Sequence, residues 1–336
     1  MSSRFYQKEV VEGKSFLVLA ILVALGFRIA AYFHFDSSLL HLDYSGGYLW
    51  FLASFIFEDK LISILGSTIC VGLIAYLLSF INGKFIIIRR KTFFPAAFSL
   101  LLFSIHPYFL FMGAYYLGSI FALLGILYLF QSYQTENKQK VALNTSFLLA
   151  IGSLFYFNLL LYFIVFWIGL AYIRSFGFKP FCAFFIGLIL AYTPVFAYSF
   201  IINDTGLFLL PFTRIQTIDF AQFPFFYFSL DLWIVLGFGL LLLSIFLVNN
   251  YINSYKDKIK IRTFLSFLSI VCIFSVLCLF LLNVDAFGNL FIYISVGALL
   301  FAHYFALGEH RAVQILFYIT VIFCLSVSVI FFLLPS

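Results

Sequence analysis

Apolar residues occupy this chain in long blocks from Phe16 to Leu334, separated by short polar patches. Two blocks are too long for one membrane crossing. Residues 93–130 hold 38 positions without a single Asp, Glu, Lys or Arg, and residues 141–173 hold 33. A straight helix of the shorter length would run about 50 Å, against a hydrocarbon core of about 30 Å. Each block therefore predicts a hairpin of two short helices, turning near Pro107–Gly113 and near Phe157–Asn158. The whole pattern then predicts eleven transmembrane helices, near 15–33, 61–80, 93–109, 114–131, 142–156, 159–173, 180–201, 232–249, 263–282, 288–306 and 313–333. Two segments, 34–60 and 202–231, mix charges with aromatic and aliphatic residues. Within the first, GYLWFLASFIF (47–57) is too short to span and is expected to lie in the membrane interface. The second is expected to do the same, broken by Pro211 and Pro224, so that the two roof a cavity on the outer face.

Composition agrees with this reading. The 336 residues are 65% hydrophobic and 10% charged, with a mean hydropathy of +1.14. Soluble domains are about a quarter charged, so the fold class is an all-α integral membrane protein. No polar stretch is long enough for a soluble domain, and residues 1–336 read as one membrane domain. The segment MSSRFYQKEVVEGK shows no small-residue cleavage site, and the first helix is expected to be uncleaved. The five cysteines all fall in apolar runs, where they read as packing residues.

Charge sets the orientation. Sixteen of the nineteen Lys and Arg residues fall in six clusters, at 4–14, 84–91, 138–140, 174–179, 256–262 and Arg311. Under the positive-inside rule all six face the cytoplasm, the N-terminus is inside and the C-terminus outside. The net charge of +6 then reflects topology, and nucleic acid is not an expected partner.

Candidate chemistry concentrates in HFDSSLLHLDYSGGYLW (34–50). Asp43 and Asp36 are the candidate catalytic carboxylates. Asp43 precedes Tyr44, Ser45, Gly46 and Gly47, where glycines allow a tight backbone, and it reads either as a general base or as a solvated helix-capping acid. Arg28, Arg214 and Lys60 are the three bases outside the clusters and the candidates for holding a lipid phosphate. Arg28 lies at helix depth; it reads as a phosphate-binding cation, or as one that snorkels to the outer headgroups or pairs with an outer Asp. His34, His41, His106, Tyr115 and Tyr116 are supporting positions, the His106 group also reading as an aromatic belt. Carboxylates and imidazoles are competent ligands for a divalent cation, but the spacing matches no specific metal motif, and no metal ligand or cofactor is assigned. His303 and His310 fall near the inner face and suggest nothing specific.

The order of a helix with Arg28, a loop with LDYSGGYLW, a basic loop, then FFPAAFSLLLFSIHPYFLFMGAYYLGSIFALLGILYLF and SFLLAIGSLFYFNLLLYFIVFWIGLAYIR, resembles a known arrangement. It is similar to the N-terminal membrane module of the multi-spanning GT-C type glycosyltransferases that use polyprenyl-phosphate sugars, over roughly 15–200, leaving 201–336 as C-terminal helices. The resemblance implies an acid in the first outer loop, matched by Asp43 with Asp36 as the alternative. Many of these transferases carry a second acid at the outer turn, where MGAYYLGS places Gly118. Over most of its length the chain also resembles an uncharacterised bacterial family of polytopic membrane proteins, a domain of unknown function that implies no established activity. Three functions stay open. One is a glycosyltransferase-like protein of the bacterial cytoplasmic (inner) membrane, active or catalytically degenerate, acting on a polyprenyl-phosphate-linked sugar. Another is a non-catalytic subunit or scaffold with protein partners in envelope assembly. The third is a transporter, which the lack of an intramembrane charge relay disfavours.

Overall fold

The computed structural model describes residues 6–35, 46–133, 135–175, 177–216, 230–282, 287–308 and 310–333. A short π-helical turn, Tyr6–Val11, precedes α1 (Ser15–His34). Then come α2 (Tyr48–Ala53), α3 (Lys60–Phe85), α4 (Phe94–Leu102), α5 (Ala114–Gln131), α6 (Lys138–Phe155) and α7 (Tyr162–Tyr172). The chain continues through α8 (Phe178–Ile201), α9 (Thr205–Gln216), α10 (Leu230–Asn253), α11 (Ile259–Leu281), α12 (Gly288–Leu307) and α13 (Arg311–Leu333).

Among the described residues eight helices are long and apolar enough to cross a membrane: α1, α3, α5, α8, α10, α11, α12 and α13. A helix also stands at each of the other three predicted places, but α4 and α7 are short and α6 opens on Lys138 and Lys140. Helix α4 stops at Leu102, well before the expected end at 109. The cause is Pro107: the residue before a proline is pushed out of the helical region, and His106 sits at φ −127°, ψ 142°. A 3-10 turn over Pro107–Phe109 then leads to α5, and a second one over Phe157–Leu161 joins α6 to α7.

Helix α12 is the hub. Of its most apolar window, 89% is buried, against 28% for α1 and for α8. It packs on α4, α5 and α11, while α6 packs between α5 and α8. Its buried Asn289 accepts from the Tyr162 hydroxyl (3.0 Å), which also lies 2.9 Å from Ser275 Oγ, tying α7, α11 and α12 together. Where α6 and α8 cross, a Cβ at Gly187 would collide with Ser146 and the Leu143 carbonyl, so glycine is what lets the backbones approach. The outward faces are apolar, with Leu22, Ile29 and Phe33 of α1 and Phe51 and Leu52 of α2 all exposed. A soluble protein rarely leaves such faces uncovered; a bilayer covers them.

The basic clusters at 84–91, 138–140, 174–179 and 256–262 meet at one end of the bundle. Arg89 bonds Asp257, Lys138 Nζ donates to the Arg174 carbonyl (3.1 Å), and Lys260 lies 5.6 Å from the Phe85 ring and 5.7 Å from the Tyr133 ring. Near the opposite end Lys60 donates to the Phe35 carbonyl, Gly46 forms an antiparallel bridge with Tyr156, and Phe287 packs 5.4 Å from Tyr108.

Candidate functional site

Arg28 sits on the buried face of α1 and is 3% exposed. Side chains on a helix lean toward its N-terminus, and this one does so: Nη1 donates to the Ala24 carbonyl (3.1 Å), one turn deeper. The guanidinium therefore points into the bundle, away from the nearer helix end. It faces the Tyr116 hydroxyl, whose proton goes to the Phe109 carbonyl, leaving oxygen lone pairs toward the cation. Among the described residues Tyr116 is the polar side chain that Arg28 meets; Nε and Nη2 make no well-formed hydrogen bond and no carboxylate pairs with them. A guanidinium stays charged at any physiological pH, so this is a buried cation with donor capacity to spare.

The other predicted residues divide clearly. Lys60 is tied to the last turn of α1, donating to the Phe35 carbonyl with its ammonium 5.5 Å from the Tyr32 ring. His34 is exposed and packs on Phe35 and Phe332. His106 is 2% exposed; its Nδ1 accepts from the Tyr108 amide (3.3 Å), and its ring stacks on Tyr108. Tyr115 lies edge-on to Tyr156 at 5.3 Å. The structure thus joins Arg28 with Tyr116, and Tyr115 with the α6–α7 turn, and leaves His34 on the surface. Asp36, His41 and Asp43 lie outside the described residues, as does the side chain of Arg214 on α9.

Beyond Asp43 in sequence, the chain is described from Gly46, where it is pinned. Gly46 bridges Tyr156, and the Gly47 amide donates to the Phe155 carbonyl (2.6 Å). A Cβ at Gly47 would collide with the Leu154 carbonyl, which is why the glycine pair is needed. Helix α2 then meets α9: the Tyr48 hydroxyl donates to the Phe208 carbonyl (3.0 Å), and Tyr48, Leu49 and Phe208 share an apolar cluster with Tyr192. The two segments expected to lie together do touch.

A second polar constellation occupies the basic end, where sequence reading assigned nothing. A cavity of about 420 Å3 opens between the 86–91 turn, the end of α10, the 254–258 connection and the α12–α13 turn. Buried Asn82 shapes the turn, accepting from the Ile88 amide through Oδ1 (2.9 Å) while β-branched Ile86 is held at φ 53°. That turn delivers Arg89, whose Nη2 lies 2.7 Å from Asp257 Oδ1 and also donates to the Lys256 carbonyl. His303 Nε2 stands 3.7 Å from Asp257 Oδ2, close enough for an electrostatic contact but beyond hydrogen-bond reach, and it makes no hydrogen bond among the described residues. Asn249, Asn250 and Asn253 line one wall. A sequence signal existed: an ionisable residue inside a membrane helix marks a functional position by default, and His303 is inside α12. No protein-family model, curated protein or solved structure matches this chain.

Proposed function

We propose that the protein is a glycosyltransferase-like enzyme of the bacterial inner membrane that acts at the outer face on a polyprenyl-phosphate-linked sugar. In this reading the basic end faces the cytoplasm, and α4 with α5, and α6 with α7, are hairpins that bring the crossings to eleven. The observation that carries it is Arg28. An arginine at helix depth costs about 2.5–3.5 kcal/mol on insertion scales, and two nitrogens of this one make no hydrogen bond among the described residues. Such a cation suits a phosphate arriving sideways from the lipid. Asp43, three residues before the pinned Gly46, takes the proton from the acceptor hydroxyl. The acceptor oxygen bonds to the anomeric carbon, the bond from that carbon to the phosphate oxygen breaks, and the polyprenyl phosphate departs against Arg28. A single displacement inverts the anomeric centre.

The test is mass spectrometry of envelope glycans and lipid-linked sugars in a strain lacking the protein, complemented at matched membrane abundance. Wild type is expected to restore a missing sugar, and Asp43→Asn and Arg28→Gln to fail. Full rescue by Asp43→Asn sinks the catalytic reading.

One observation favours the non-catalytic subunit instead. At Gly118, where the transferases this chain resembles carry a second acid, a Cβ would stand 3.0 Å from the Tyr156 side chain, so a carboxylate there would require Tyr156 to shift. An unchanged glycan profile in the deletion strain, with loss of an envelope complex on native gels, is what this alternative expects.

A further inference from the structure

We propose that the cavity at the basic end is a binding site for a small phosphate ester bearing hydroxyl groups. Its volume of about 420 Å3 is that of a small-molecule site. Arg89 and Lys256 bring positive charge to its walls, and Asp257 is the carboxylate that lines it among the described residues. Asp257 is engaged already. Its side chain is 9% exposed and holds Arg89 in place, so it acts as a brace for that guanidinium. The phosphate oxygens go to the cationic side, where Arg89 offers planar donors and Lys256, exposed at the rim, a point charge.

The second, independent observation is His303. Its residue is 6% exposed, it lines the cavity, and Nε2 has no hydrogen-bond partner. A buried imidazole nitrogen without a partner is costly unless something arrives to meet it. The opposite wall supplies carboxamides. Asn253 Nδ2 donates to Asn249 Oδ1 (2.9 Å), which fixes that amide and leaves the Asn249 Nδ2 to donate elsewhere. Carboxamides both donate and accept, which matches hydroxyls better than it matches a bare ion. A phosphate ester with vicinal hydroxyls, such as a glycerophosphate or sugar phosphate, satisfies both walls. This inference does not depend on the outer-face reading, since it uses none of the same residues.

The ligand chemistry has two sources, a soluble ester or the headgroup of an anionic lipid, and the experiment separates them. The full-length protein is purified in detergent and titrated by calorimetry with glycerol 3-phosphate, with glycerol as control. In parallel it is reconstituted in nanodiscs of phosphatidylglycerol or phosphatidylcholine, and retained lipid is read by native mass spectrometry. The variants are Lys256→Gln, which changes an exposed residue, and Asn250→Asp, with unfolding temperature checked for each. Saturable glycerol 3-phosphate binding, weakened about tenfold or more in the variants, assigns the site to a soluble ester. Retention of phosphatidylglycerol, lost in the variants, with no soluble binding, assigns it to a headgroup. Failure of both probes, or equal binding by wild type and variants, overturns the proposal.

Discussion

Arg28 and Tyr116 form a coupled pair in the heart of the bundle, one charged and short of acceptors, the other turning its lone pairs toward it. Burial of both side chains magnifies what each is worth, because water does not screen them. Removing the Tyr116 hydroxyl strands the Phe109 carbonyl and further isolates the cation. Tyr116→Phe is therefore expected to destabilise by about 1–3 kcal/mol, read as a lower unfolding temperature in detergent. Arg28→Met keeps the volume and removes the unpaired charge. It is expected to raise that temperature while failing in the glycan rescue, the trade expected of a functional group kept at a structural cost. In the double variant the loss from Tyr116→Phe should shrink; an unchanged loss would mean that the two side chains do not interact. The sequence marked Arg28 as deep, but not which way it points. That follows from the helix rotation, which places it opposite Tyr116 instead of toward the headgroups.

Among elements, the meeting of α2 and α9 matters most for the outer-face reading. The Tyr48 hydroxyl joins them by its bond to the Phe208 carbonyl, over a shared apolar patch. Burial pushes the Tyr48 phenol up, beyond the range of an ordinary tyrosine. A phenol whose folded value lies above its unfolded one contributes stability fully below about pH 10 and loses it as the pH climbs past that point. The donor thus persists through the physiological range. Tyr48→Phe is expected to raise amide exchange in Thr205–Gln216 about threefold to tenfold at neutral pH. Wild type should approach the variant only in strong alkali. Equal exchange at neutral pH would show that apolar contact alone holds α9. The presence of both elements was legible, since each is an apolar stretch too short to span; their contact was not, because no local pattern records which loop lies over which.

For the molecule as a whole, the decisive question is whether α4–α5 and α6–α7 turn back within the membrane. The bond from Lys138 to the Arg174 carbonyl puts the two ends of the second pair on one side. Single cysteines test this in a Cys182→Ala background, the other four native thiols being buried. An impermeant maleimide is expected to label Lys140→Cys and Lys258→Cys only in inverted vesicles, and Glu58→Cys only in right-side-out cells. Labelling of Lys140→Cys from the same side as Glu58→Cys would replace the hairpin with a single tilted crossing.

The sequence by itself determined where the long apolar helices lie, because hydrophobic runs and basic clusters are local properties that a bilayer reads one segment at a time, but not every break: Pro211, expected to interrupt the second mixed segment, lies inside α9. It also marked the glycine pair at 46–47, whose need for a close approach the Leu154 carbonyl explains. Only the tertiary structure decided what meets what. Arg89 and Asp257 stand 168 residues apart in the chain, and His303 reaches them from the central helix. Arg89 and Asp257 alone read as ordinary residues at a membrane boundary, and His303, although marked by its place inside α12, has no visible partner in the sequence. They become a cavity only because α3, α10 and α12 end side by side, and that order is set by packing between helices, which leaves no period in the sequence.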